Sequence, residues 1–139
     1  MKDATLTRSL LWKTQSGMEV AIEFFRYINL YIPALSVQRV RIYSMKGNGN
    51  IEIISGINAK VRTNGYNHFK TVDVGVTDNG NIYSDVMTDK GNRIFETSKL
   101  LSFPAIPLKT IAVDGHIYYQ GNCRLEANQM MEFIKYVRR

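Results

Sequence analysis

Turn dipeptides constrain the fold of this chain more than any other feature. From residue 37 onward they separate short runs that are rich in Val, Ile, Tyr and Thr. Asn-Gly and Asp-Gly pairs accept the positive φ angles of tight hairpins, so each pair indicates a reversal of the chain. The dipeptides are Asn48-Gly49, Asn64-Gly65, Asn79-Gly80, Lys90-Gly91 and Asp114-Gly115. They predict antiparallel strands near residues 37–45, 50–62, 68–77, 81–88, 92–97, 108–113 and 116–120.

The C-terminal segment has a different period. After Gly121, apolar residues recur at helical spacing and lead to a basic tail, which suits the C-terminal end of a helix. The apolar stripe consists of Ala127, Met130, Met131, Ile134 and Val137. We therefore expect a C-terminal helix that packs on the sheet.

Residues 17–31 fit two structures. Ser16 and Glu19 have the spacing of a helix capping box. Val20, Ile22 and Phe24 instead alternate with polar or small residues, as in the second strand of a hairpin that turns at Ser16-Gly17. The pair Phe24-Phe25 breaks this alternation, which favours the helix.

The opening segment LLWKTQSGMEVAIEF resembles the start of small uncharacterised proteins of bacteria and their mobile elements. In those proteins a Trp-containing strand turns at Gly into an apolar strand. The resemblance implies the hairpin and provides no functional residue.

These elements predict an α+β fold: an antiparallel β-meander of about six to seven strands with a C-terminal helix packed on one face, joined there by an N-terminal helix if residues 17–31 are helical. With 139 residues, of which 45% are apolar, the chain fits a single compact domain over residues 1–139. It has no apolar run long enough for a membrane and no secretory signal pattern, so we expect a cytoplasmic protein without a membrane partner. The single cysteine, Cys123, excludes an intrachain disulfide.

Two similar loops, TDNGN at 77–81 and TDKGN at 88–92, invite comparison with calcium sites. Calcium requires six to eight oxygen ligands, and each loop offers only part of such a set. Lys90 inside the second loop would repel a divalent cation. We therefore expect both loops to be turns, and we predict neither a metal nor a cofactor.

Catalytic chemistry has little support among these residues. The best candidate pairing is His116 with Cys123 near the expected start of the C-terminal helix, where a thiol pKa would fall. No third residue that would orient this pair is identifiable, so we predict a protein without enzymatic activity.

The strongest indication of function is the arrangement of the basic residues. The net charge is +6, and two predicted strands, VQRVRIY and INAKVRT, alternate apolar with basic or aromatic residues. If these strands are neighbours, one sheet face carries Arg39, Arg41, Tyr43, Lys60 and Arg62. Charges that bind phosphates beside a ring that stacks on bases predict a binding domain for nucleic acid or another anionic partner, such as an acidic protein.

The alternative is a protein-binding accessory or inhibitor protein of phage or mobile-element type. Eight tyrosines in a short basic chain without a catalytic set are consistent with it, because tyrosine is enriched at protein interfaces. An exposed sheet edge would in addition allow two copies to pair as a homodimer.

Overall fold

The computed structural model describes residues 4–62 and 64–139. These residues form ten β-strands, and every strand pair is antiparallel. The strands are β1 (Thr5–Lys13), β2 (Glu19–Ile28), β3 (Leu35–Lys46), β4 (Gly49–Asn58), β5 (Phe69–Val76), β6 (Ile82–Thr88), β7 (Arg93–Phe103), β8 (Lys109–Val113), β9 (His116–Leu125) and β10 (Met130–Arg138).

The strands form two sheets that pack face to face. The larger sheet has the order β1-β2-β3-β10-β7-β6-β5, and the smaller has the order β4-β9-β8. The expected α+β class and single meander are therefore wrong, because the described residues form a β-sandwich-like, all-sheet structure. The chain leaves the large sheet after β3, returns at β5, and finally inserts β10 between β3 and β7.

The predicted C-terminal helix is a strand and a turn. β9 continues to Leu125, Asn128 turns the chain with a φ of 64°, and β10 follows. Met131, Phe133 and Val137 are buried at every second or fourth position, which is the period of a strand. The apolar residues of this segment fit the period of a helix as well as that of a strand. Pairing with β3 and β7 stabilises the strand.

The N-terminal segment is a hairpin, so the favoured helix is wrong and the alternative is correct. β1 pairs with β2 from Thr5 opposite Tyr27 to Lys13 opposite Glu19. The adjacent rings of Phe24 and Phe25 both fit in the strand, because they lie on opposite faces of β2. Phe25 lies against the Arg39 guanidinium, 4.9 Å from the ring centre, while Phe24 faces the other side.

The strands predicted from the turn dipeptides are present, with ends that differ by several residues in places. TDNGN and TDKGN are hairpin turns: the Thr77 amide donates to the Asn81 carbonyl and the Thr88 amide donates to the Asn92 carbonyl, both at 2.8 Å. In the first loop, the Lys99 ammonium donates to the Asn79 carbonyl at 3.2 Å. A lysine ammonium group therefore already binds one of the carbonyl oxygen atoms of that loop.

The core lies between the two sheets. Its largest fully buried apolar side chains are Phe133 and Ile82 from the large sheet and Ile117 and Leu125 from the small one. Residues 104–108 connect β7 to β8, and they include Pro104 and Pro107, which lack the backbone donor that a strand inside a sheet requires. Within the part of the chain that the structure describes, no helix has the length and apolar character needed to cross a bilayer.

Candidate functional site

The first three residues of the predicted basic surface lie together. Arg39, Arg41 and Tyr43 alternate on β3 with Val40 and Ile42, which pack in the core, as the sequence pattern indicated. They point to the outer face, which we define as the face of the large sheet that is turned away from the small sheet. The inner face is the opposite one.

Acidic neighbours offset the charge of these arginines. Glu132 on β10 accepts a 2.6 Å hydrogen bond from Arg41 Nε, and this bond raises the pKa of Arg41. Glu23 on β2 lies 3.8 Å from Arg39 and 3.9 Å from Arg41. Two guanidinium groups therefore face two carboxylates, and this part of the outer face has little net charge with which to attract phosphates.

Lys60 and Arg62 lie elsewhere. β4 belongs to the small sheet, so the strand that precedes Lys60 and Arg62 does not neighbour β3 in the large sheet. Lys60 follows the end of β4 and forms an ion pair with Asp114 in the turn between β8 and β9, which lowers the pKa of that carboxyl. Arg62 is exposed in the following loop. The five predicted residues therefore do not share one face.

A shallow depression of about 430 Å³ lies on the outer face. It lies where β1, β2, β3 and β10 run side by side, and its lining includes Leu11, Glu23, Arg41, Tyr43 and Met130. Leu11 is 75% exposed and Met130 is 49% exposed. The depression therefore combines an apolar rim with a neutralised polar centre, which is the composition of a contact surface rather than of a charged ligand site.

A second concave region, the inner groove, lies between β4 and the inner face of β2 and β3. It has a volume of about 290 Å³, and an adjacent depression of about 180 Å³ extends it toward β1. Its apolar lining includes Ile22, Phe24, Val40, Ile53 and Leu6, and its basic lining includes Arg8, Arg26 and Lys135. Among the described residues, no acidic side chain lines either depression.

Lys135 is the unusual member of the inner groove because it points inward from a central strand. Its ammonium donates to the Gly56 carbonyl on β4 at 2.7 Å. Burial lowers the pKa of Lys135, and the nearby Glu96 opposes this shift only in part. The helical period of its neighbours in the sequence gives no indication that Lys135 points into a groove.

The His116 and Cys123 pair is not a site. The two residues lie at the start and near the end of β9, about 23 Å apart for seven residues of extended strand. Burial raises the pKa of the Cys123 thiol. A thiol in this environment lacks the activation that nucleophilic catalysis requires.

Comparisons with known proteins point in one direction. Residues 1–138 match the family described as glycosyl hydrolase family 65, N-terminal domain. The kojibiose phosphorylase of Halothermothrix orenii is 28% identical over 90 residues, which are 65% of this chain and 12% of that protein. A solved structure assigned as a kojibiose phosphorylase from the human microbiome has a TM-score of 0.83 at 17% identity, over 99% of this chain and 18% of that one. The chain thus spans less than a fifth of the length of these two proteins.

These matches overturn the functional expectations. A non-enzymatic domain that binds nucleic acid is wrong, and so is an accessory or inhibitor protein of phage type, because the relatives are enzymes that act on carbohydrates. The structure supplies a physical reason for the first error, since Glu23 and Glu132 offset the arginines on β3. The chain belongs to glycosyl hydrolase family 65, in which it matches the N-terminal domain.

Proposed function

We propose that this chain is the N-terminal module of a carbohydrate-active enzyme that cleaves kojibiose or a similar disaccharide with inorganic phosphate. The observation that carries this proposal is the family match over residues 1–138, together with a curated relative that is a kojibiose phosphorylase. The fold comparison supports the same family by architecture, since a likeness at 17% identity speaks for the fold alone.

Within that enzyme, we assign this module the role of a scaffold for the rest of the chain. Within residues 4–62 and 64–139, seven strands in one sheet face three in the other, so much of the large sheet is uncovered by this module. Apolar side chains are exposed on its outer face, including Leu11, Leu101, Phe103 and Tyr136. Large exposed apolar surfaces are typical of protein contacts. The relatives contain several times more chain than this module, which is enough to provide those contacts.

Two carboxylates of the module have lowered pKa values, which suits a structural role for them. Arg93 holds the pKa of Asp85 below its usual value, and Lys60 does the same for Asp114. Cleavage of a glycosidic bond uses a carboxylic acid that stays protonated near neutral pH, which requires a raised pKa. We therefore place the acid that protonates the leaving sugar in the remaining part of the enzyme.

The test is phosphorolysis by the purified enzyme that contains this chain. Incubation with kojibiose and inorganic phosphate should release glucose 1-phosphate and glucose in equal amounts. Reactions without phosphate and reactions with maltose or trehalose serve as controls. Absence of phosphate-dependent cleavage with all three disaccharides would refute the proposed activity, and cleavage without phosphate would replace it by hydrolysis.

A further inference from the structure

We infer that the inner groove is the docking site for a segment of the same enzyme that carries both apolar side chains and carboxylates. This inference rests on the proposed function, because that function supplies the additional chain. It concerns a specific surface and a specific chemistry, and both are visible in the module itself.

The second layer of the sandwich is incomplete beside the inner groove. β4 is an edge strand of the small sheet and, among the described residues, pairs only with β9. On the inner face of the large sheet, the edge strand β1 extends beyond the cover that the small sheet provides. Trp12 lies opposite Val20 on this face, yet Trp12 is 58% exposed while Val20 is 3% exposed. Apolar side chains therefore lie on this face of both β1 and β2, but only the one on β2 is covered.

The inner groove also carries basic side chains whose charge is not balanced by an ion pair. Arg39 and Arg41 on the outer face each approach a carboxylate to within 4 Å. Within the described residues, Arg8 and Arg26 in the groove form no such ion pair. Both lie at the rim of the groove, where Phe24 and Leu6 provide apolar surface between them. A segment that fills this surface would desolvate the two guanidinium groups, so carboxylates are the appropriate partners.

Lys135 extends the same pattern into the deeper part of the groove. Its ammonium is partly desolvated and donates to the Gly56 carbonyl at 2.7 Å. An ammonium group has three donors, so the amine can bind a carboxylate in addition to this carbonyl. The groove thus offers three cationic groups along an apolar floor.

A second copy of this chain is a poor occupant by the same criterion. The chain carries a net charge of +6, and a basic groove would repel a basic partner. The relatives, in contrast, extend well beyond the module, which covers 12% of one and 18% of the other. The remaining chain is covalently linked to the groove, so its effective concentration there is high.

Thiol labelling of the native enzyme tests the inference. In this module Leu6 is 60% exposed and Tyr66 is 73% exposed, so cysteines at the two positions should react at similar rates if nothing covers the groove. We expect Leu6→Cys to react with a maleimide at least tenfold more slowly than the matched control Tyr66→Cys, as measured by mass spectrometry of the labelled peptides. Arg8→Cys provides a second position in the groove if Leu6→Cys does not fold.

Charge reversal tests the chemistry of the occupant. Arg26→Glu should increase labelling at Leu6→Cys several-fold by repelling the carboxylates, whereas Arg26→Lys should leave it slow. Equal labelling of Leu6→Cys and Tyr66→Cys in the unaltered background would refute the inference. Protection that disappears on dilution to the monomer would assign the groove to a second copy and would also refute it. Labelling does not depend on activity, so a covered groove in an enzyme that fails to cleave disaccharides would refute only the proposed function.

Discussion

Replacement of Tyr119 by phenylalanine tests how the two sheets are joined. Tyr119 lies on β9 in the small sheet, and its ring is in the core with only 5% of the residue exposed. Its hydroxyl donates to the Gly80 carbonyl at 2.8 Å and accepts from the Ile82 amide at 3.2 Å. Both partners lie at the turn that leads into β6 of the large sheet. One hydroxyl group therefore connects the TDNGN loop to the opposite layer.

The expected cost follows from the groups that the substitution leaves unpaired. Removing one partner from a buried donor or acceptor costs about 1–3 kcal/mol. The Ile82 amide loses its acceptor, while the Gly80 carbonyl keeps the Lys99 ammonium at 3.5 Å. Unfolding entropy is about 2.1 cal/mol/K per residue, so a chain of 139 residues should lose roughly 3–10 °C in Tm.

Calorimetry of the Tyr119→Phe and Tyr118→Phe variants would provide the comparison. Tyr118 precedes Tyr119 on the same strand and faces away from the large sheet, so its replacement should change Tm by less than about 2 °C. Hydrogen exchange at the Ile82 amide should accelerate in the Tyr119 variant alone. Equal Tm values for the two variants, with unchanged exchange at Ile82, would show that the hydroxyl does not connect the sheets.

Two further predictions concern the contact between β4 and its neighbours. A Cβ at Gly56 would lie 2.2 Å from the Ile117 carbonyl oxygen and 2.4 Å from Tyr118 Cβ. Gly56→Ala should therefore lower the free energy of unfolding by about 3 kcal/mol. A denaturation midpoint equal to that of the wild type would contradict this close approach. Burial lowers the pKa of Lys135 from its usual 10.5. As the pH rises, the ammonium group therefore loses its proton at a lower pH in the folded state than in the unfolded state. Stability relative to Lys135→Met should therefore rise as the pH increases through the lowered pKa toward 10.5, and parallel stability curves for the two proteins would exclude the effect.

The local turns of this fold could be predicted from the sequence, but the layers could not. Hairpins depend on a few adjacent residues, and Asn79-Gly80 and Lys90-Gly91 mark them correctly. The assignment of a strand to one of two sheets depends on distant partners. β3 and β4 are joined by a tight connection at residues 47–48, yet they pair in different sheets. Lys60 therefore follows a strand of the small sheet, whereas the basic residues with which the sequence pattern grouped it lie on β3 in the large sheet.

The C-terminal strand shows why periodicity alone was insufficient. Met130, Met131, Ile134 and Val137 fit a helical face, but Phe133 is 2% exposed and belongs to the core in the strand alone. Pairing with β3 and β7 satisfies the backbone hydrogen bonds of this segment on both sides. Tertiary pairing of this kind outweighs local helix preference.

The candidate site was recognised only in part for the same reason. Alternation along β3 correctly placed Arg39 and Arg41 on one face, because side-chain direction is a local property of a strand. Their counterions come from β2 and β10, and Glu132 is 91 residues from Arg41 in sequence. The charge balance of a sheet face depends on strand order and register, which this sequence did not reveal. Only the family match indicates carbohydrate chemistry, because a sandwich fold is compatible with many functions.

The two faces of the large sheet should therefore respond differently to their surroundings. On the outer face the arginines approach carboxylates of the same module, so a partner that covers this face gains mainly from its apolar rim. In the inner groove, Arg8 and Arg26 form no ion pair within the described residues, so a partner that carries carboxylates would supply their counterions. Salt screens the attraction between a basic surface and an approaching carboxylate, but it has little effect on apolar contact. Coverage of the inner groove is consequently the interaction that ionic strength should weaken, and the outer face should remain covered under the same conditions.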